Sequence, residues 1–382
     1  MMPLEGLIVI DLTTWLGGYA GRLMSDLGAK VVHVVSPDSA RQHRSVLPED
    51  LFNHFGKIEE VRGTRGIVTG SDIDDLLHGA SILLTDFAPA QLQARGLHPD
   101  DTRRRWPELI HVAITPHGMT GPDANLPATD LTLLADGGLL YLSGDADRPP
   151  VRPVAQQAAV VTSLHATVAT LIAVIAFDDD GQGQLVDVSA QEAVAHSVEN
   201  AVQYFDCERF IRGRRGVGPV EAGSGLFDCK DGYVYILTTI GGSNLNWDAA
   251  IQWLIDAGAS GSERLREPAW KESEFRRTPR AISEFRAIFD DYAVSRTRIE
   301  ITTEGQARGI SVAPVWEPND LLTSDQLQFR SFFHDVDCDG QPLRFPGLPY
   351  RFLESVVGRF DTPAQRAVFE MHEVISEMNA DL

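Results

Sequence analysis

Apolar positions near the start of the chain come in short runs separated by turns. Residues 7–10 form one such run and stop at Asp11; residues 19–27 read as a helix closed by Gly28; residues 30–35 read as the next strand. Strand, helix and strand in this spacing predict a parallel βαβ unit. Residues 67–68 predict a short strand, 72–77 a helix start, and 80–84 and 109–114 further strands. The alternation of types predicts an α/β fold with a doubly wound sheet.

The centre changes character. Pro122, Pro127, Pro149, Pro150 and Pro153 punctuate it, and residues 158–177 then run without a formal charge. That length permits a membrane span. Thr162, Ser163, His165, Thr167 and Thr170 point instead to a buried helix of a soluble protein. Asp178, Asp179, Asp180 and Gly181 follow as a solvated helix end, because an EF-hand needs alternating oxygen donors and a late Glu. Residues 184–188 predict another strand. A second unit is expected over about residues 200–325, with 227–233 as a turn feeding a strand at 234–237, a helix at 247–254 and a charged amphipathic stretch at 272–296. Residues 343–350 are rich in Gly and Pro, and a final helix is expected to return to the first unit.

Composition narrows the function classes. The 382 residues carry a formal charge of -21, a field that repels a nucleic-acid backbone. A local cluster of arginines still admits an anionic ligand, and only Lys30, Lys57, Lys230 and Lys271 among the basic residues are not Arg. Three cysteines with no CxxC pair make neither a disulfide framework nor a zinc site. The first residues lack the basic segment and cleavage site of a signal peptide, so a cytoplasmic protein is expected.

Single motifs carry little chemistry. Gly17, Gly18 and Gly21 lie between strand and helix without a GxGxxG pattern, and no Walker sequence, HExxH or GxSxG occurs. Arg209, Arg212, Arg214 and Arg215 suit a phosphate or carboxylate ligand, or equally a salt-bridged subunit surface. Gly241 and Gly242 suit a flexible loop over a ligand or an ordinary turn. His165 reads as a core residue, and Asp11, Asp130 and Asp187 stand at strand or loop boundaries where a carboxylate acts or caps.

Taken in order, the segments LMSDLGAKVVHVVSP (23–37), FNHFGK (52–57), LLTDFAP (83–89), ARGL (94–97), HGMTGP (117–122), TDLTLLADGG (129–138), GQGQLVDVS (181–189), IGGSNLNW (240–247), RGISVAPV (308–315) and FPGLP (345–349) resemble the family III CoA-transferases, the CaiB/BaiF-like group that shares its fold with acyl-CoA racemases. The resemblance implies a large Rossmann-like, CoA-binding domain built from both chain ends (1–199 and 326–382), a smaller inserted α/β domain (200–325), and two subunits threaded through one another as an interlocked dimer. It implies a CoA thioester as substrate, no permanently bound cofactor, and transfer of CoA between an acyl-CoA and a carboxylic acid. It places the family's nucleophilic Asp at Ala159, and no carboxylate occurs between Arg152 and Phe177. The racemase His falls on Thr129 and its Asp near Ala158. Three functions follow as expectations: a CoA-transferase with relocated chemistry; a non-catalytic CoA-binding subunit that pairs with an Asp-containing homologue; or an acyl-CoA racemase, lyase or hydratase using another acid–base pair. The candidate catalytic residues are Asp130, Gln157, His165, Gly241 and Gly242, the last two through oxyanion-stabilising backbone N–H groups. The candidate CoA-binding residues are Arg41, Asp86, Phe87 and Arg95, with no metal ligand. Homodimer and heterodimer with a homologue are both expected partners; nucleic acid and membrane are not.

Overall fold

The computed structural model describes residues 2–37, 52–63, 67–198, 200–214, 219–239, 246–338, 341–353 and 357. Two units are present. One draws on the chain up to Ser143, on Pro150–Arg214 and on the chain from Gln328; the other on Gly144–Pro149 and Arg215–Leu327.

The first unit is mixed α/β around a parallel six-stranded sheet in the order β3-β2-β1-β4-β5-β6. These strands are β1 (Ile8–Asp11), β2 (Lys30–Val35), β3 (Lys57–Val61), β4 (Ile82–Thr85), β5 (Ile110–Thr115) and β6 (Leu185–Ser189). β4 and β5 are buried along their whole length, as apolar runs covered on both faces must be. Alternate residues divide between two cores. Val9, Val31, Leu84 and Val112 face one side with the central helix, Gln157–Asp180. Ile10, Val32, Leu83 and Ala113 face the other side with Ile73, Leu76 and Trp106.

The central helix is a core helix on one side only. Ala158, Thr162, Ala166, Thr170 and Ala173 are buried at helical spacing, and their small size lets the helix approach its neighbours closely. The buried threonine hydroxyls are satisfied within the helix: Thr162 donates to the Ala158 carbonyl at 2.6 Å and Thr170 to that of Ala166 at 2.7 Å. The helix runs through all three aspartates and stops at Gly181, whose φ of 67° closes it in the left-handed region. Val160, Leu164, Val168, Ile172 and Ile175 form an exposed apolar stripe on the opposite side, from 37% exposed at Val160 to 65% at Ile175.

Three local expectations change. Ile67 makes an isolated bridge rather than opening a strand with Val68. Lys57–Val61 is a strand that the apolar pattern does not announce, because an edge strand with two glutamates has no continuous apolar run. In the second unit, Phe227, Asp228 and Cys229 belong to β7 (Ser224–Cys229), and only Lys230 and Asp231 turn the chain into β8 (Gly232–Leu237). β9 (Ser311–Val315) completes that antiparallel sheet, which packs on an aromatic core containing Trp247, Trp253, Phe285 and Phe289. A terminal hairpin, β10 (Phe333–Cys338) with β11 (Gln341–Pro346), returns to the first unit and seats Phe345 against Phe55 at 4.8 Å. The final helix expected from the sequence lies outside the described residues.

Candidate functional site

β1 lies between β2 and β4, so the connections leaving β1 and β4 run to opposite sides and open a crevice at the sheet's topological switch point. A cavity of about 1050 Å³ lies there. The turn after β1 contributes Thr13, Thr14 and Trp15. The entry to the central helix contributes Gln156, Ala159 and Val160, and the terminal hairpin contributes Phe332, Pro346 and Gly347. His33, His54, Lys57, Arg95 and Arg152 also line it, whereas among the described residues no Asp or Glu does.

Behind this wall the acids are engaged. Asp11 is completely buried and accepts from the Thr13 N–H at 2.9 Å, the Thr13 hydroxyl at 2.6 Å and Lys57 Nζ at 2.7 Å. His33 Nδ1 stands 3.6 Å from the same carboxylate. Burial alone would raise the Asp11 carboxyl, but Lys57 and His33 outweigh it and hold the group well below the usual carboxylate range. The cluster follows from register: Asp11 is opposite His33 on neighbouring parallel strands, which places both side chains on one face. Gly21 is required beside it, since a Cβ there would lie 2.3 Å from Asp11 Oδ2.

Asp86 was expected to contact CoA, and it does not line the cavity. Its carboxylate accepts the Thr14 N–H at 2.7 Å and the Leu16 N–H at 3.1 Å, and so clasps the β1 turn. Burial pushes its carboxyl up from the ordinary value, against the pull of those N–H groups. Phe87 and Arg95, its expected companions, do come together at the cavity: the guanidinium lies 4.0 Å over the Phe87 ring and donates to the Val68 carbonyl at 2.9 Å. Arg41 lies outside the described residues, as do Gly241 and Gly242.

The remaining candidates disperse. Asp130 is buried and accepts the Ala158 N–H at 2.8 Å, with Arg152 Nη2 at 3.4 Å from its other oxygen. It caps the central helix from outside, because the helix's own N-cap residue, Gln156, makes no side-chain cap. Gln157 turns its amide to the Val154 carbonyl at 2.8 Å and does not line the cavity, which its neighbour Gln156 does. His165 lies farther along the helix, edge-on to His196 at 5.1 Å, and is not part of the cavity wall. Asp187 accepts the Met119 N–H at 3.1 Å. Arg212 and Arg214 lie over Tyr204 and Tyr141, at 3.8 and 5.3 Å, rather than at the cavity. Sequence reasoning missed Lys57, His33, Trp15 and Arg152; only the Asp–His register across β1 and β2 was there to be read. Among the described residues no group of three or more His, Cys, Asp or Glu is placed to hold a metal ion.

The arrangement suits a polyanion. Five basic or protonatable side chains line the same cavity as the first turn of a 24-residue helix, with Lys57 already paired to Asp11 and Arg152 to Asp130, and the helix dipole adds positive potential at that end. It offers no nucleophile at the helix entry, because Ala159 presents a methyl group there.

Known proteins resemble the chain over most of its length. The sequence model of CoA-transferase family III matches residues 4–364. The chain is 32% identical to the succinyl-CoA:(R)-benzylsuccinate CoA-transferase subunit BbsE of Thauera aromatica, over 91% of this chain and 87% of that protein. It is 25% identical to the succinyl-CoA–L-malate CoA-transferase beta subunit of Chloroflexus aurantiacus, over 93% and 89%. A crystal structure of a CaiB/BaiF family protein from Brucella suis superposes with a TM-score of 0.84 at 22% identity, covering 99% of each chain.

Proposed function

This chain belongs to CoA-transferase family III, and from that membership we propose that it binds a CoA thioester in the cavity at the switch point and serves the transfer of CoA to a carboxylic acid as a subunit that carries no nucleophilic carboxylate of its own. One observation carries the reading. The cavity wall holds Lys57, Arg95, Arg152, His33 and His54, and no acid among the described residues. Such a wall attracts a phosphorylated ligand and leaves the thioester carbonyl without a protein carboxylate to attack it.

In this reading the carboxylate comes from a homologous partner. It attacks the thioester carbonyl, forming an acyl anhydride as the CoA thiolate leaves. The thiolate attacks the partner's own carboxyl carbon, releasing the donor acid and leaving CoA as a thioester on the partner. The acceptor carboxylate attacks that thioester, expelling the thiolate and forming a second anhydride, and the thiolate attacks the acceptor carbonyl to give the new acyl-CoA and restore the partner's carboxylate. Two features support the partnership. The apolar stripe from Val160 to Ile175 is exposed in the single chain, as a face that a second subunit would cover. The two relatives named above are themselves called subunits. We place the reaction in the cytoplasm, with Phe87 and Arg95 meeting the adenosine end of CoA.

The test compares the purified chain alone with the chain mixed with a carboxylate-bearing homologue, each given acyl-CoA and acceptor acids. Transfer only in the mixture, with the acyl or CoA adduct found by mass spectrometry on the homologue, is the expected result. Transfer by the chain alone overturns the subunit reading in favour of a homodimeric transferase. Release of CoA from neither, with solvent exchange at the acyl α-carbon, moves the function to the racemase class. Absence of CoA binding removes all three.

A further inference from the structure

The β1 turn is held at three points around one aromatic side chain. Asp86 accepts the N–H of Thr14 at 2.7 Å and of Leu16 at 3.1 Å, and both of its oxygens are near the Thr14 hydroxyl at 3.2 and 3.1 Å. From the opposite side, Ser163 donates to the Leu16 carbonyl at 3.0 Å. Trp15 is the residue between these anchors. Its indole packs partly on the main core of the first unit and lines the cavity. A large side chain whose two neighbours are each fixed by buried polar groups has little freedom to withdraw.

Its position within the cavity is also fixed. Ser163 stands four residues after Ala159, on the same face of the central helix, and both line the cavity. The bond from Ser163 therefore holds the Trp15 turn against the helix face that carries Ala159. Tyr19, in the next helix, and Phe52 continue the aromatic wall, stacked at 5.8 Å with an interplanar angle of 28°. Phe87 forms a separate platform from the end of β4, one of its faces covered by Arg95. The cavity thus has Phe87 under Arg95 on one side and, against the central helix, Trp15 on another, with Arg22 lying 5.5 Å from the Phe52 ring.

We propose that Trp15 is the specificity-determining wall for the acyl end of the ligand, that Asp86 and Ser163 are the positioning residues that hold it beside Ala159, and that the group carried there contains an aromatic ring. A flat ring matches a rigid indole at low conformational cost, which a flexible alkyl chain of similar size does not. The inference rests on the reading of the cavity as a CoA-thioester site and names the class of acyl group.

Calorimetric titration of the full chain with free CoA, hexanoyl-CoA and phenylacetyl-CoA tests it. Phenylacetyl-CoA is expected to bind roughly three- to ten-fold more tightly than hexanoyl-CoA. Trp15→Leu is expected to abolish that ratio and Trp15→Phe to keep most of it, which separates loss of the aromatic face from loss of fold. Asp86→Ala is expected to shrink the ratio, with partial rescue by Asp86→Asn, which retains an acceptor oxygen. Equal binding of the two thioesters by the unmodified chain overturns the proposal. So does a Trp15→Leu protein that loses affinity for free CoA as strongly as for phenylacetyl-CoA, because the indole would then meet the adenine. Failure of all three ligands to bind removes the CoA reading, and this inference with it.

Discussion

The Asp130 carboxylate accepts the Ala158 backbone N–H at 2.8 Å, one residue before the methyl group that Ala159 presents to the cavity. An acid that sequence reasoning places in the chemistry is thus spent on holding the helix from which that methyl projects. Asp130→Ala is expected to lower stability by about 0.5–2 kcal/mol, the usual cost of a lost helix cap, and Asp130→Asn by less. Urea denaturation of the two variants checks the order. Equal stability with lost turnover would instead return Asp130 to a catalytic role.

Ala159→Asp tests directly the proposal that this chain lacks only the nucleophile. The new carboxylate would stand in the first turn of a helix, where negative charge is favoured, and in the wall of the cavity. Incubation with an acyl-CoA is expected to produce a covalent adduct on this chain, visible in the intact mass and absent from the unmodified protein. An adduct-free variant that still binds CoA would mean that the thioester carbonyl is not held beside residue 159.

Lys57 and Asp11 are a buried pair at 2.7 Å, both nearly inaccessible to water. Lys57→Met leaves the carboxylate buried without its cation and is expected to cost roughly 3–5 kcal/mol. The pH dependence carries the sign. In the native protein the folded carboxyl lies below its ordinary value of 3.8, so its contribution is present above that pH and is lost as pH falls through the folded value. Without Lys57, burial dominates and the folded carboxyl rises above 3.8. The variant's deficit should therefore be largest near neutrality and narrow as pH is lowered, measured by denaturant midpoints across the range.

His111 is enclosed in the sheet between two hydroxyls, with Nε2 3.1 Å from Thr85 and Nδ1 3.0 Å from Thr102. Burial pushes its pKa from 6.5 down to about 3. The folded protein keeps this imidazole neutral while the unfolded chain takes up a proton. Stability is therefore expected to fall by about 1.4 kcal/mol per pH unit from this group as pH drops from 6.5 toward about 3. Replacing His111 by Gln should flatten that part of the pH profile. Thr102→Val is expected to cost about 1–3 kcal/mol at neutral pH by leaving a ring nitrogen unpaired.

Much of the parallel sheet was legible because its signal is local. β2 announces itself by four valines around His33 and the central helix by its long run without a formal charge, and Gly28 and Gly181 mark stops through their backbone freedom. Phe87 and Arg95 were each singled out through the resemblance, but their stacking on one another was not legible, although a single short helix, Pro89–Ala94, joins them. β3 was not legible either, since an edge strand needs no apolar run. The hydrogen bonds of Asp86 were hidden for another reason: its partners lie 70 and 72 residues earlier in the chain, and no local pattern connects a loop N–H to an acid at that distance.

The sequence by itself determined the kinds of element, their order, the family resemblance and the absence of any carboxylate between Arg152 and Phe177. Periodicity reports the elements, while the resemblance rests on the order of the quoted segments and the absence of a carboxylate is read off the residues directly. Only the tertiary structure decided that the nearby acids, Asp11, Asp86 and Asp130, stand behind the cavity wall in the protein's own hydrogen bonds, while their cations Lys57 and Arg152, and Arg95, reach the wall itself. A carboxylate has the same charge wherever it stands in the chain. Whether that charge meets a ligand or a backbone N–H is set by which strand ends and helix starts the sheet brings together at its switch point.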